Sequence, residues 1–328
     1  MEMRIIVTGI TGFIGKNLLK TIAGNENQYI CLVRKESNLA GLVKAENIEY
    51  RVTSFNQDEL IGNFKDADVV IHMIGQMGAY GVPYERFEKV NCSLTKEVVN
   101  ACIAANVQQL VYVSTPGVQG FGKRLCNEEE PYAPRNLYEQ TKVIAEQAVI
   151  DGLSKTTVKY TILRPDFVYG PEDTRRIKMY KNIRDRKFVL TTSGKSYLCP
   201  TYVLDVTQGI NKSIGNPAAY NGIFNLSPET DITVQEYLDV IAGYFGTKIL
   251  HFNIGYKLSI FFASIIETFY DRVLKKDAFV SKNKIDFLAM DHSTSCEKAK
   301  KLLGYHAEYS FKDGFAETMK WCKENQLL

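Results

Sequence analysis

Of all features of this sequence, a glycine turn between an apolar strand and a helix most constrains the fold that the chain can adopt. Residues 5–15 read Ile-Ile-Val-Thr-Gly-Ile-Thr-Gly-Phe-Ile-Gly, with glycine at every third position from Gly9. Glycine permits a tight turn, lets backbone N–H groups approach a phosphate and allows the next helix to pack closely. An amphipathic run follows at 14–22. The pattern predicts a dinucleotide site, formed by Gly9, Thr11, Gly12, Phe13, Ile14 and Gly15.

Short β-branched runs alternate with helical patterns through the first half of the chain. The predicted strands cover residues 4–8, 29–33, 48–52, 69–73, 110–114 and 160–163. Nearly continuous apolar strands alternating with helices are typical of a parallel sheet covered on both faces. We therefore predict an α/β fold, a Rossmann-type doubly wound parallel sheet, with its ligands beyond the carboxyl ends of the strands.

The rhythm of strands and helices breaks after Pro171. Residues 1–171 are predicted to form a dinucleotide-binding domain, to whose sheet segments 202–206 and 222–226 return as strands. Residues 172–328 are predicted to form a smaller, interleaved substrate domain, with helical periodicity at 233–245 and 312–323.

The end of the second predicted strand bears on the choice between NAD and NADP. An acidic residue about twenty positions beyond such a turn holds the ribose hydroxyls of NAD, whereas arginine accommodates the 2′-phosphate of NADP. Here Arg34 and Lys35 follow the strand, and no carboxylate comes before Glu36. We expect NADP, and NAD is the alternative if both cations are only surface charges.

A tyrosine and a lysine four residues apart follow in Tyr138-Glu-Gln-Thr-Lys142. At this spacing both side chains project from one face of a helix. A nearby ammonium favours phenolate, so we expect Lys142 to lower the pKa of Tyr138 and also to bind the nicotinamide ribose. Tyr138 would exchange a proton with a ketone or an alcohol as a hydride moves. Ser114 and Thr115, after the fifth strand, offer hydroxyls to the same substrate oxygen.

Composition excludes several other classes of function. A net charge of +3 over 328 residues, without a long basic run, argues against nucleic acid. The longest uncharged apolar stretch, residues 258–266, has about half the ~20 residues that a bilayer requires. We expect it to be buried in the second domain, without membrane contact.

The seven cysteines form no CxxC pair, which suits a reducing cytoplasm. The four histidines lack metal-ligand spacing, so no metal is expected.

The motifs in combination resemble the extended short-chain dehydrogenases/reductases, the NAD-dependent epimerase/dehydratase family, over essentially the full length. Further matching segments are residues 68–72, 90–91, 163–165, 168–171, 202–206 and 301–305. The resemblance implies that Thr115 completes a catalytic triad with Tyr138 and Lys142, with Ser114 beside it. It also implies a homodimer formed through helices 94–105 and 138–150.

The same resemblance implies further cofactor contacts. Pro165 and Val168 would lie near the nicotinamide, and Ile74 and Gly75 would pass along the cofactor ribose. The adenine contacts are implied for Ser54 and Phe55, although the family usually has aspartate where Ser54 stands.

Many members of the family act on nucleotide sugars and hold the pyrophosphate with arginines. By alignment, Leu198 stands at the place of one such arginine and Phe167 at that of a sugar-binding asparagine, and a late Arg-Pro-Gly-Asp segment is missing. A diphosphate needs about two charge-assisted partners. The apolar region 257–270 with Lys275 and Lys276 is similar instead to dihydroflavonol reductases and 3β-hydroxysteroid dehydrogenases, whose substrates are larger and less charged.

The leading hypothesis is an NADP-dependent carbonyl reductase or alcohol dehydrogenase acting on a small-molecule ketone or secondary alcohol. The alternative is a nucleotide-sugar 4-epimerase or 4-keto-sugar reductase, which would keep NAD bound. Its phosphate site would be rebuilt from Arg175, Arg176, Lys178 and Lys181. A nucleotide-sensing protein without chemistry is a third hypothesis, but it would not need Tyr138, Lys142 and Thr115.

Glycine-rich loops at 76–81 and 119–122 are expected to shape the substrate mouth, and Asp166 either faces substrate or has a structural role.

Overall fold

The computed structural model describes residues 2–120 and 122–328. Phe121, in the glycine-rich loop 119–122 that is predicted to shape the substrate mouth, lies outside these residues. The strands, in chain order, are β1 (Arg4–Thr8), β2 (Gln28–Val33), β3 (Ile48–Val52), β4 (Val69–His72), β5 (Gln109–Val113), β6 (Lys123–Cys126), β7 (Lys159–Pro165), β8 (Val189–Leu190), β9 (Tyr197–Leu198), β10 (Gly222–Leu226), β11 (Ile232–Thr233), β12 (Leu250–His251) and β13 (His292–Thr294).

The α-helices follow the predicted alternation in the first half of the chain and dominate the second half. They are α1 (Phe13–Ile22), α2 (Gln57–Phe64), α3 (Tyr84–Phe87), α4 (Leu94–Ala104), α5 (Leu137–Leu153), α6 (Ile177–Arg184), α7 (Val203–Ser213), α8 (Val234–Tyr244), α9 (Tyr256–Phe269), α10 (Lys282–Ala289), α11 (Glu297–Leu303) and α12 (Phe311–Glu324). A π-helical turn, Glu88–Ser93, joins α3 to α4, and another, Tyr270–Leu274, extends α9.

A parallel sheet forms the centre of the part of the chain that the structure describes. Its seven strands have the order β10-β7-β5-β4-β1-β2-β3. In β1, Ile6 lies opposite Ile30 of β2 and Val70 of β4. Helices cover both faces, which is why these strands are almost continuously apolar. The predicted doubly wound α/β fold is confirmed, and the carboxyl ends of its strands form one edge, the place where sheets of this kind bind their ligands.

Alternate residues of β1 contribute to two separate core clusters, one on each face of the sheet. Ile5 and Val7 pack with Leu18 of α1 on one face. Ile6 packs on the other with Val98 of α4. This alternation follows from the twofold period of a strand. A third cluster, built around Tyr169, Leu198, Tyr237, Phe311 and Phe315, gives the C-terminal elements a core of their own. The boundary at Pro171 stays a prediction.

The two segments predicted to return to the sheet have different structures. Residues 222–226 form β10 and pair in parallel with β7, as predicted. The prediction for 202–206 is wrong, because α7 begins at Val203. Val203, Val206 and Ile210 are all buried, and their spacing is that of one helix face. A β-branched run was therefore the start of an amphipathic helix.

The prediction that residues 258–266 are buried is also wrong. In α9 only the small side chains of Ser259 and Ala263 are buried. Leu258, Phe261 and Ile265 are 54%, 57% and 54% exposed. The helix packs through its small residues and leaves its large ones in solvent. Among the described residues, no helix is long and apolar enough to cross a membrane.

Candidate active site

The glycine turn after β1 leaves the first N–H groups of α1 open. Gly9 has a φ of +82°, which favours glycine, and its carbonyl accepts from the Gly12 N–H at 3.1 Å. A Cβ on Gly15 would lie 2.4 Å from the Gly9 oxygen, so only glycine lets the helix start here. No side chain caps α1 at Gly12. The N–H groups of Phe13 and Ile14 therefore lack intrahelical partners, and they fit a dinucleotide pyrophosphate.

Arg34 and Lys35 lie directly after β2, on the same strand-end edge as the glycine turn. Both are exposed. The Arg34 Nε lies 3.4 Å from the Glu36 carboxylate, and both side chains are about two-thirds exposed, at 64% and 69%. An exposed pair of this kind contributes little stability. Arg34 can therefore exchange this partner for a phosphate.

The residues expected near the adenine and the ribose follow β3 and β4. The Ser54 N–H donates to Glu59 Oε2 at 2.7 Å. Phe55 has a φ of +62° and packs against the core under α2 and α4, so its ring is part of the fold. Ile74 lies against the glycine turn, since a Cβ on Gly9 would be 2.9 Å from its nitrogen. A Cβ on Gly75 would be 3.7 Å from Asn91 Oδ1.

Tyr138 and Thr115 come together where β5 meets the first turn of α5. A hydrogen bond with Thr115 and the charge of Arg175 both lower the pKa of Tyr138, but burial outweighs them and raises it to about 12. The Thr115 hydroxyl also accepts from the Gly117 N–H at 3.2 Å. Ser114 is buried and its hydroxyl has no hydrogen-bond partner among the described residues. Tyr138 is therefore a protonated phenol at neutral pH, with a threonine hydroxyl beside it.

Lys142 does not lower the pKa of Tyr138 as expected, and this correction has a physical cause. Its Nζ is buried, donates to Val113 O at 2.9 Å and bonds the hydroxyl of Tyr112. Burial lowers the pKa of Lys142 itself to about 7, against the opposing charge of Glu146. The lysine is thus only partly charged at neutral pH. The cation that favours the Tyr138 phenolate is Arg175.

Arg175 contacts the glycine turn and the loop after β4, and its charge acts on Tyr138. Its Nε lies 2.7 Å from Asp173 Oδ1, its Nη1 2.8 Å from Met77 Sδ, and its guanidinium carbon 5.3 Å from the centroid of Phe13. Sequence analysis assigned Arg175 only to the phosphate site of the alternative hypothesis. Because it follows Pro171 by four residues and lies in no motif, the sequence carries no signal for its place beside Tyr138.

Asn91 ties the loop after β4 to α5. Its Oδ1 accepts from the Gln76 N–H at 2.7 Å, and its Nδ2 donates to Thr141 Oγ1 at 2.9 Å. It lies in the π-helical turn Glu88–Ser93, which interrupts the regular hydrogen bonding between α3 and α4. Asn91 thus couples the expected ribose-binding loop to the residue that precedes Lys142.

The residues expected at the nicotinamide end follow β7. Pro165 is the last residue of that strand. The carbonyl of Val168 accepts from Arg176 Nη1 at 2.6 Å, and Arg176 also lies 4.2 Å from the ring centroid of Phe167. Asp166 is fully buried between them and accepts from Thr294 Oγ1 at 2.9 Å. Its role is therefore structural, which the sequence had left open.

The second half of the chain offers a weak site for a diphosphate. Leu198, at the place of a family arginine, is fully buried in the third core cluster. Arg175 and Arg176 are both paired with Asp173. Lys178 and Lys181 lie on α6. Two of the four cations thus share one buried carboxylate, which leaves this pair of arginines with a net charge of +1.

The structure describes no cluster of three potential metal-ligating side chains in residues 2–120 and 122–328. The candidate site offers a phenol, two hydroxyls and the turn that fits a dinucleotide. All seven cysteines are unpaired thiols.

Comparisons with known proteins identify the family of the chain. The model of the "NAD dependent epimerase/dehydratase family" matches residues 5–227. Sterol-4-alpha-carboxylate 3-dehydrogenase, decarboxylating, of Candida albicans is 25% identical over 80% of this chain and 79% of its own length. N-acetyl-alpha-D-glucosaminyl-diphospho-ditrans,octacis-undecaprenol 4-epimerase of Escherichia coli O157:H7 is 22% identical over 98% of this chain and 96% of its own.

A solved structure supports the fold. UDP-glucuronic acid 4-epimerase from Bacillus cereus, in complex with UDP-glucuronic acid and NAD, superposes with a TM-score of 0.78 at 18% identity. The match covers 98% of this chain and 100% of that chain.

Proposed function

The chain belongs to the NAD dependent epimerase/dehydratase family, and from that premise we propose that it is an NADP-dependent oxidoreductase that interconverts a ketone and a secondary alcohol. The observation that carries this proposal is the pairing of Tyr138 with Thr115. Burial raises the pKa of the phenol to about 12, so at neutral pH it holds the proton that a ketone must receive.

The proposed reaction needs one proton and one hydride. The bound nicotinamide cofactor supplies or accepts the hydride. In reduction, the Tyr138 hydroxyl donates its proton to the carbonyl oxygen, which Thr115 holds by a hydrogen bond, and Arg175 stabilises the phenolate left behind. In oxidation the same phenolate removes the proton of the alcohol. Ser114, whose hydroxyl has no other partner in the described chain, is available to the same oxygen.

Lys142 has a positioning role in this proposal. Its bonds to Tyr112 and to the Val113 carbonyl hold α5 against β5, and they leave Tyr138 beside Thr115. Contact of Lys142 with the nicotinamide ribose remains part of the proposal. With the cofactor bound, such a contact would replace the bond to Tyr112.

The preference for NADP rests on Arg34 and Lys35. They are exposed cations at the end of β2, where a 2′-phosphate needs charge-assisted donors. The phosphate would replace Glu36 as the partner of Arg34. Ser54 and Phe55 then lie after β3 beside the adenine, and Ile74, Gly75, Pro165 and Val168 line the ribose and the nicotinamide.

The proposed substrate is large and weakly charged. Leu198 is buried and Arg175 and Arg176 are engaged by Asp173, so a diphosphate would find few free cations. The names of the two curated relatives include a sterol and a polyprenol. The sterol in the first name supports an amphiphilic ketone or alcohol. The second name joins its polyprenol to a sugar through a diphosphate, and it supports the second candidate below.

A sugar 4-epimerase is the second candidate. The Escherichia coli epimerase matches nearly the whole of this chain, which favours it. An epimerase returns the hydride to the opposite face of its keto intermediate, so it needs the same tyrosine but a tightly held NAD. A nucleotide sensor without chemistry would not need the Tyr138–Thr115 pair.

We also propose a homodimer and a cytoplasmic location. Ile103 of α4 and Leu137 and Ile144 of α5 are exposed on the helices expected to form the dimer. The seven free thiols suit a reducing compartment.

The decisive experiment is to denature freshly purified protein and identify the released nucleotide by mass and absorbance. The same preparation is then assayed for NADPH oxidation with apolar ketones and for epimerisation of sugar nucleotides. We expect little retained nucleotide, or NADP that exchanges freely, together with NADPH-dependent ketone reduction. Stoichiometric bound NAD with epimerisation would replace this proposal by the second candidate. Absence of turnover across both panels would favour the sensor.

A further inference from the structure

One face of α9 and the turn after it is apolar and exposed. Leu258, Phe261, Phe262, Ile265 and Phe269 follow the helical spacing i, i+3, i+4, i+7 and i+11, and each is more than half exposed. The flanking segments carry further exposed apolar residues, and we include them in what we call the α9 face: Phe252, Ile254, Val273, Leu274 and Phe279. An apolar surface of this extent marks a binding site rather than ordinary solvent-exposed surface.

Four cations flank the α9 face. Lys257 lies at its N-terminal end, and Arg272, Lys275 and Lys276 lie at its C-terminal end. All four are exposed, and none forms a salt bridge within residues 2–120 and 122–328.

The acids of the same region are already engaged. Asp271 accepts from Tyr80 Oη at 2.8 Å, and Asp277 pairs with Lys284 at 3.1 Å. Glu267 accepts from the Lys282 N–H at 3.2 Å. Because a phenol and a backbone N–H are neutral, Asp271 and Glu267 keep their negative charges, and the four cations exceed these two acids by two. The face therefore presents apolar side chains flanked by a net positive charge.

We propose that the α9 face docks on the surface of an anionic lipid bilayer. A helix with large apolar residues on one side and cations at its ends lies in the plane of such an interface, with its apolar side about 5–10 Å deep. The fourteen residues of α9 measure about 21 Å, too short to cross a bilayer but suited to lie along it. This proposal replaces the expectation of no membrane contact. It does not depend on the reaction proposed above.

The charges favour a bilayer over a second copy of the chain. In a twofold dimer the same surface meets itself, so antiparallel α9 helices would bring Lys257 of one copy next to Arg272, Lys275 and Lys276 of the other. Like charges at such short range are destabilising. Anionic lipid headgroups instead neutralise all four cations at once.

The α9 face adjoins the mouth of the candidate active site. The loop after β4 runs past Tyr138, since a Cβ on Gly78 would lie 3.9 Å from the Tyr138 Cβ. Two residues later, Tyr80 donates to Asp271 at the end of the α9 face. A bilayer bound there would lie beside the loop that is expected to admit substrate.

The test measures vesicle binding without substrate or cofactor, so that it is independent of any turnover. Full-length protein is floated with vesicles of phosphatidylcholine containing about 30% phosphatidylglycerol, and with phosphatidylcholine alone. We expect binding to the anionic vesicles that weakens as salt increases. The variant F261S/I265S should lower the partition coefficient at least tenfold. Each of Lys275→Gln and Lys276→Gln should lower it about fivefold.

The matched control is Leu302→Ser, which removes a similarly exposed aliphatic side chain from α11. It should bind vesicles like the unchanged protein. Circular dichroism and melting temperature show whether each variant is folded.

Three results would overturn the proposal. One is equal binding by F261S/I265S and the unchanged protein, and another is no flotation with either vesicle. The third is a soluble assembly whose mass in light scattering falls by half in F261S/I265S, because the α9 face would then join two copies.

Discussion

Arg164 of β7 and Glu146 of α5 form a buried ion pair through two hydrogen bonds. Arg164 Nη2 lies 2.6 Å from Glu146 Oε2, and Nε lies 3.0 Å from Oε1. The exposed fractions of the two side chains are 2% and 0%. Because Glu146 lies one turn beyond Lys142 and two beyond Tyr138, this pair fixes the catalytic helix against the sheet.

Replacing one residue of that pair should lower the free energy of unfolding much more than replacing both. Arg164→Met leaves a buried, uncompensated carboxylate, and we expect the free energy of unfolding to fall by about 3–5 kcal/mol. The double variant E146M/R164M removes both charges and should recover most of this loss. Urea denaturation measures both, and a double variant no more stable than Arg164→Met would contradict the argument.

Tyr138→Phe should abolish the proton transfer while sparing the cofactor. A positioned acid or base contributes about 10²–10⁴-fold to the rate, so we expect turnover to fall by at least 100-fold. Nucleotide affinity, measured by fluorescence titration, should stay within about twofold, because the glycine turn is unchanged. An active Tyr138→Phe enzyme would rule out this residue as the acid.

Arg175→Gln should slow oxidation more than reduction. The charge of Arg175 lowers the pKa of Tyr138, which burial has raised to about 12. Without that charge the pKa rises further, and less phenolate is present at any pH below it. We expect alcohol oxidation at pH 9 to fall by about tenfold. Ketone reduction at pH 7 should fall less, because the phenol stays fully populated there although its phenolate loses the stabilising charge. Arg175→Lys keeps the charge and should restore oxidation. An equal loss in both directions would instead indicate a substrate-binding role.

Asp166→Asn should stabilise the protein above neutral pH. Burial raises the pKa of this carboxyl to about 7, from a usual value near 3.8. Between these values the folded state binds more protons than the unfolded state, so stability falls as pH rises and stays at the lower level above 7. The neutral amide removes this penalty. We expect a gain of about 1–3 kcal/mol at pH 8 and little change at pH 4, by urea denaturation. A gain of equal size at both pH values would contradict the titration of Asp166.

Arg34→Asp should move the cofactor preference toward NAD. Loss of a charge-assisted bond to the 2′-phosphate, with a carboxylate placed there instead, should lower the NADP-to-NAD ratio of kcat/KM at least tenfold. Arg184→Asp makes the same change of charge on exposed α6 and serves as the control. An unchanged ratio in Arg34→Asp would show that Arg34 is only a surface charge.

The periodicity of apolar residues predicted those elements of the fold that are determined by short-range sequence patterns. The parallel strands of the first half and the turn at Gly9 were found within one or two residues, because apolar runs and glycine spacing are local signals. The segment at 202–206 was misjudged because a β-branched run of five residues fits a strand and a helix start equally well. The exposure of α9 could not be predicted, since composition does not say which side of a helix finds a packing partner.

The candidate site was only partly predictable for a similar reason. The spacing of Tyr138 and Lys142 correctly put them on one helix. It could not show that Lys142 bonds Tyr112, a strand residue thirty positions earlier in the chain. Nor could it show that Arg175 supplies the charge near the phenol. Both contacts arise from how β5 and the segment after β7 pack around α5, which is a tertiary property.

The hydrogen bond between Tyr80 and Asp271 has a kinetic consequence once α9 lies on a bilayer. It holds the loop after β4, residues 76–81, at the lipid surface. A substrate dissolved in that surface therefore reaches Tyr138 by lateral diffusion, without crossing water. The turnover rate would then follow the mole fraction of substrate in the membrane rather than its amount per volume of buffer. Adding inert lipid at a constant total amount of substrate would lower the substrate's mole fraction in the membrane, and turnover would slow accordingly.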